Sequence, residues 1–168
     1  MRAFVMALAL TLIASAAVAQ QPAAQMPDQP MKVFSSSADV EALIAKAKAE
    51  RKEGQGLVSE PILIFAPYRA NLEYRASVAP ANIHEREAEM MYVIDGSATL
   101  TIGGKLVDEK RTNADNLSGS AIEGGTPREM AKGDFVVIPE NTAHWFSKIN
   151  GSITLMTFHV PRTVGSPK

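Results

Sequence analysis

Cysteine is absent from the sequence of 168 residues. Its absence excludes disulfide bonds, catalysis by a thiolate and zinc sites built from cysteine. The fold must therefore be held together by buried apolar surface. With 46% hydrophobic residues, a chain of this length can form the core of one globular domain.

A surplus of charge of one sign is also missing, because 17 basic and 18 acidic residues leave a formal net charge of −1. Proteins that bind nucleic acid present a strongly basic surface to the phosphates, so no nucleic-acid partner is expected. The sequence also lacks a phosphate-binding loop, a zinc-protease helix motif and the residue order of a serine hydrolase triad. These classes of enzyme are therefore excluded.

The longest apolar run lies at the start of the chain and is shorter than the roughly 20 residues that a membrane span needs. It follows Arg2 and ends at Ala17-Val18-Ala19, the pattern of small residues that a signal peptidase cleaves. We therefore expect residues 1–19 to be a signal peptide and the protein to be exported, either periplasmic or secreted. No stable membrane span is expected after cleavage.

Composition divides the remainder of the chain into four parts. Residues 20–35 are rich in Gln, Pro and Ala and are predicted to form a flexible tether. An N-terminal helical segment at 36–56 follows, with a helix from about Ala38 to Lys52 that Ser36 or Ser37 caps and whose apolar face packs on the outside of the next domain. Residues 57–162 form that domain, and 163–168 are a C-terminal tail.

The domain at 57–162 contains many short apolar runs separated by turn residues, which is typical of an all-β barrel or sandwich. Tight hairpin turns are predicted at Asp95-Gly96 and at Asn150-Gly151. The run from Pro61 to Pro67 has a proline at each end, so it is expected at a sheet edge. The segment from Lys105 to Lys132 is rich in turn-forming residues, and either a lid over the barrel or a surface excursion fits it.

Two candidate metal ligands, His84 and Glu89, come just before an apolar run. On one continuous strand they would face opposite sides, because they are five residues apart. They can face one ion if residues 85–88 form a turn, so that His84 ends one strand and Glu89 begins its neighbour across the ladder.

These residues resemble the first motif of the cupin superfamily. His84 matches its second histidine, Glu89 its glutamate and Gly96 its final glycine, whereas Asn82 stands at the position of its first histidine. The segment from Gly133 to His144 resembles the second cupin motif in the spacing of its glycine, proline and histidine. Two motifs in this order are more specific than either motif alone.

The resemblance implies a double-stranded β-helix, or jelly-roll, cupin barrel with one N-terminal helix. It also implies a divalent metal site at the barrel mouth. The ligands would be His84, Glu89 and His144, with Asn82 as a weak oxygen donor, and this donor set favours Fe or Mn over Zn or Ni. His159 belongs to no motif, so it is expected to be structural.

The function stays open between two classes, and no catalytic residue is assigned. One is a metal-dependent enzyme acting on a small oxygen-bearing molecule, because dioxygenases, isomerases and lyases all occur among cupins. The other is a non-catalytic cupin that binds a small carboxylate or sugar. A homodimer is expected in either case, because Met90, Tyr92 and Ile94 give their strand a second apolar face.

Overall fold

A computed structural model describes residues 31–162 of the chain. The predicted signal peptide, most of the predicted tether and the C-terminal tail lie outside the described residues. Within them the chain forms one helix, α1 (Ser37–Glu50), and a series of strands. The strands are β1 (Val58–Phe65), β2 (Tyr68–Arg75), β3 (Ala81–His84), β4 (Glu87–Ile102), β5 (Lys105–Val107), β6 (Lys110–Arg111), β7 (Asn116–Gly119), β8 (Ala121–Glu123), β9 (Thr126–Ala131), β10 (Phe135–Ile138) and β11 (His144–Pro161).

Helix α1 begins at a capping box. The Ser36 hydroxyl accepts from the Asp39 backbone nitrogen at 3.2 Å, and the Ser36 nitrogen donates to the Asp39 carboxylate at 2.8 Å. The helix packs its apolar side on the outer face of β1 and β2, where Ala47 and Leu72 are fully buried. The predicted helix and its location outside the barrel are confirmed. Among residues 31–162, no helix is long and apolar enough to cross a membrane.

One antiparallel sheet forms the barrel. Its strands follow the order β1-β2-β11-β3-β7-β6, and β4 pairs with β9, β10 and β11. The inward side chains of β4 and β11 alternate with outward ones and form a core of buried residues: Met91, Val93, Leu100, Phe146, Ile153 and Leu155. The predicted all-β architecture with one N-terminal helix is confirmed.

The two predicted hairpin turns are wrong. Strand β4 continues through Asp95-Gly96, and β11 continues through Asn150-Gly151. The two strands pair with each other along their length, and their register shifts between Ile149 and Ile153, so both glycines lie at a bulge instead of a chain reversal. Gly96 has φ +84°, and a Cβ there would collide with the Ser152 carbonyl oxygen. A glycine at a bulge and a glycine in a turn give the same local sequence signal.

The N-terminal edge of the sheet agrees with the proline pattern, because β2 is the one strand among residues 31–162 that pairs with β1. Lys32, in the predicted tether, exchanges two backbone hydrogen bonds of 2.9 Å with Ile64 of β1. The described end of the tether, residues 31–35, is thus attached to the sheet edge.

The segment from Lys105 to Lys132 is made of the five short strands β5 to β9. Strand β7 pairs with β3, so that Asn116 lies opposite His84. The turn between β6 and β7 contributes Thr112 and Asn113 to the wall of a cavity. Part of this segment therefore lines the cavity that contains His84.

Candidate metal centre

His84 and Glu89 lie at the ends of two successive strands. His84 is the last residue of β3, a bend follows at 85–86, and β4 begins at Glu87. A break between the two strands is confirmed, but it is a bend at 85–86, shorter than the predicted turn at 85–88, and Glu89 is the third residue of β4. The predicted pairing of His84 with Glu89 across one ladder is not confirmed, because β3 pairs with β7 and β11, whereas β4 pairs with β9, β10 and β11.

His144 brings the second motif to the first. It is the first residue of β11 and pairs with Asn82 of β3 on one side and with Ile102 of β4 on the other. Its Nε2 atom lies 3.1 Å from Glu89 Oε2, and the Nε2 atom of His84 lies 3.5 Å from the same oxygen. One ligand atom from each of these three residues lies within 4.8 Å of the others, which is close enough for a single ion.

A third histidine, His159, lies beside this group. Its residue pairs with Glu89 across the β11–β4 ladder, its Nε2 atom is 3.8 Å from Glu89 Oε1, and its ring centroid is 5.1 Å from that of His84. His159 was expected to be structural; it lies beside the site and lines its cavity, but it is not among the three residues whose ligand atoms could hold one ion. All three histidines of the chain are gathered around one carboxylate.

The other ring nitrogen of each histidine faces an oxygen. Nδ1 of His84 lies 2.5 Å from the Asn116 side-chain oxygen, and Nδ1 of His144 lies 3.2 Å from the Thr142 carbonyl oxygen. Nδ1 of His159 lies 3.1 Å from Glu87 Oε2, as an ion-pair contact and not a well-aligned hydrogen bond. Such partners favour a proton on Nδ1, so that Nε2 offers its lone pair to a metal ion once it has lost the proton that it shares with Glu89, and this is the usual arrangement around a metal-ligating histidine.

An antiparallel barrel therefore brings the residues of both sequence motifs to one point. The chain forms the all-β barrel with one N-terminal helix that the resemblance implies. In this barrel His84 and His144, one from each motif, lie together around the Glu89 carboxylate.

Comparison with known proteins gives distant likenesses. No family model and no curated protein matches the sequence. The cupin domain of Schizosaccharomyces pombe Cnp3 is 13% identical, with a TM-score of 0.47, and the match covers 64% of this chain and 62% of that one, less than two thirds. KdgF from Halomonas sp. is 18% identical over 67% of this chain and 87% of that one, with a TM-score of 0.45. Fe(II) HppE is 16% identical, with a TM-score of 0.48, and the match covers 81% of this chain and 58% of that one.

Burial and charge shape the protonation of the site. Burial alone would raise the pKa of Glu89, which is 3% exposed, but hydrogen bonds from His144 and His84 outweigh it and hold the pKa far below its ordinary value. Burial alone would likewise lower the pKa of His84, yet its contacts with Glu89 and Asn116 raise it. Glu89 is therefore an anion at neutral pH, ready to pair with a cation.

A cavity of about 270 Å³ opens beside the three histidines. Asn82 lies in its wall, and the Asn82 amide nitrogen donates to the Pro80 carbonyl oxygen at 3.3 Å. Asn82 as a weak oxygen ligand stays a prediction. The apolar neighbours agree with strand alternation, because Met91 and Phe146 are buried beside Glu89 and His144, whereas Tyr92 is exposed on the other face.

The cavity wall also includes two charged residues of β2, Glu73 and Arg75, which carry no motif in the sequence. They and His159 were missed because they belong to the cavity only through the pairing of β11 with β2 and β4. One signal was available in the sequence, since His159 continues the inward alternation of Ile153, Leu155 and Thr157 along one strand.

Proposed function

We propose that this protein is a cupin that binds a divalent metal ion through His84, Glu89 and His144. The observation that supports the proposal most strongly is the common orientation of the histidines: each Nε2 atom faces Glu89, and each Nδ1 atom faces a different oxygen. The same orientation favours His159 over Asn82 as a fourth donor, because imidazole nitrogen binds divalent transition metals more strongly than a neutral amide oxygen does. A site of histidines and one carboxylate favours Fe or Mn over Zn or Ni.

The proposed activity is chemistry on a small oxygen-bearing molecule, of the dioxygenase, isomerase or lyase type. A bound divalent ion would supply Lewis acidity and open coordination positions for an oxygen ligand. The chain's own residues would exclude bulk water, since Glu89 and His144 are buried, and would orient the ligand through the polar cavity wall. Turnover of a substrate panel separates this activity from simple binding of a carboxylate or sugar.

Export and dimerisation belong to the same proposal. Arg2, the apolar run and the small residues Ala17 and Ala19 support removal of residues 1–19 and a periplasmic or secreted location. An exposed apolar row on the outer face of the barrel, formed by Phe135, Tyr92 and Met156, supports a homodimer. Intact mass of the exported protein tests the cleavage site.

Metal content of purified protein tests the proposed site. We expect His144→Ala and Glu89→Gln to lose most of the metal found in the parent, because each change removes a strong donor. Glu129→Gln is the matched control, since Glu129 is an exposed carboxylate on β9 that accepts a hydrogen bond from Thr99. Parent-like metal content in both His144→Ala and Glu89→Gln would refute the proposal.

A further inference from the structure

The cavity beside the histidines contains a buried arginine. Arg75 is only 8% exposed, and it lines the same cavity as His84 and His144. A buried guanidinium is costly unless its charge is paired, and it is rarely retained without a partner. The partners of the Arg75 guanidinium therefore indicate what this cavity can bind.

Glu73 accounts for only part of the hydrogen-bonding capacity of Arg75. Nε and Nη2 of Arg75 donate to the same oxygen of Glu73, at 3.0 and 2.7 Å. The guanidinium carbon lies 5.0 Å from the centre of the Phe146 ring. These contacts fix the plane of the guanidinium, whereas no residue among 31–162 accepts a hydrogen bond from Nη1. A planar guanidinium with a free edge is the group that best matches a carboxylate.

Apart from Leu57, the ionisable residues and the histidines, the cavity wall is polar and uncharged. This part of the wall is formed by Asn82, Thr112, Asn113 and Asn116. The Arg75–Glu73 pair is neutral as a unit, and a divalent ion held by one carboxylate has a net charge of +1. A ligand with a single negative charge would balance the site, and a volume of about 270 Å³, close to that of about nine water molecules, restricts it to a small molecule.

We propose that Arg75 binds the carboxylate of a small hydroxy or oxo acid, whose second oxygen faces the histidine centre. Glu73 is the positioning residue that sets the orientation of the guanidinium. The position of the second oxygen rests on the proposed function, because it requires a metal ion at the histidine centre. Binding of the carboxylate by Arg75 does not depend on a metal. A neutral sugar would make no use of the free guanidinium edge.

The first experiment uses glycolate, 3-hydroxypropionate and 4-hydroxybutyrate, with their uncharged amides as controls. Affinities for the zinc-loaded protein are measured by calorimetry. The test variant is the double substitution Glu73→Gln with Arg75→Gln, which avoids leaving either charge unpaired. We expect the best acid to bind roughly ten- to a hundredfold more weakly to this variant than to the parent. Arg128→Gln, on exposed β9, is the matched control and should leave the affinity unchanged.

Zinc content is measured for each variant, so that loss of metal is not mistaken for loss of the carboxylate site. Equal affinity of the acids for the parent and a zinc-loaded double variant would overturn the inference. So would amides that bind the parent as tightly as the acids do. Arg75→Lys keeps the charge but removes the planar guanidinium. This variant should bind the acids more weakly than the parent, by a smaller factor than expected for the double variant, and it provides a test even if the double variant does not fold.

A second experiment works on metal-free protein. The Nε–Hε NMR signal of Arg75, assigned by its loss in Arg75→Lys, is followed as the best acid is added. A saturable shift of this signal in a protein that binds no metal would support the inference while the proposed function fails. A signal that does not move at any acid concentration would overturn the inference, whatever the metal content.

Discussion

At the scale of single residues, His159 and Asn82 offer the metal site two very different donors. The His159 ring lies 5.1 Å from the His84 ring, with its Nδ1 atom against Glu87. Asn82 offers only a neutral amide. We expect His159→Ala to weaken metal binding at least tenfold and Asn82→Ala to weaken it much less, measured by competition with a chelating dye. Equal losses in the two variants would contradict the assignment of His159 as the stronger donor.

Protonation of the histidines gives a pH dependence. Burial lowers the pKa of His84, but its contacts with Glu89 and Asn116 raise it by more. In the metal-free protein, His84 is therefore protonated at a higher pH than a histidine with the ordinary pKa of about 6.5. Protons compete with the metal for Nε2. Occupancy measured at limiting metal should therefore fall as the pH is lowered, and the fall should begin above pH ~6.5. Occupancy that stays constant through the histidine range would contradict this.

The sequence predicted the three residues that the motifs contain and missed those that pairing supplies. His84, Glu89 and His144 have the spacing of two motifs, so local sequence was enough to place them together. His159 reaches the site because it pairs with Glu89 across the β11–β4 ladder. Arg75 reaches it because β2 pairs with β11. Such pairings between distant strands depend on the whole sheet, and no local pattern encodes them.

At the scale of elements, the start of α1 is the most directly testable feature. Ser36 makes both hydrogen bonds of the capping box with Asp39. Ser36→Ala should lower the free energy of unfolding by about 1 kcal/mol, measured by urea denaturation. Ser37→Ala is the matched control, because Ser37 is exposed inside the first turn, where alanine is the better helix former. Equal stability of Ser36→Ala and the parent would show that the cap contributes nothing.

The helix was predicted well from the sequence, whereas the two hairpin turns were not. The helix was predicted within about two residues of its observed ends, because a capping signal and an apolar face act together. Gly96 and Gly151 were read as turns, yet both lie inside long strands. Glycine supplies a positive φ equally well to a hairpin or to a bulge, and only the partner strand decides which one forms.

At the scale of the whole molecule, an exposed apolar row crosses the outer face of the barrel. Phe135 pairs with Tyr92, which pairs with Met156, and these side chains are 57%, 40% and 39% exposed. Helix α1 covers the adjacent part of this face, where Ile94 packs against its cluster. The row therefore remains without cover among residues 31–162, and a second copy of the chain is its predicted partner.

Light scattering tests this dimer. We expect a dimer for the parent at micromolar concentrations and a monomer after Phe135→Lys combined with Tyr92→Lys, because two buried charges would disrupt an apolar interface. Val78→Lys is the matched control, since Val78 is 46% exposed in the segment between β2 and β3. A parent that stays monomeric over this range of concentration would rule out the dimer.

The central claim is that the Nε2 atoms of the histidines bind one metal ion. It is tested most directly by adding zinc to metal-free protein whose imidazole nitrogens are labelled with ¹⁵N. The account predicts that one equivalent of zinc shifts the Nε2 signals of His84 and His144 to the range of metal-bound nitrogen, with His159 following, while each Nδ1 keeps its proton. Nε2 signals of His84 and His144 that do not change with zinc would contradict it.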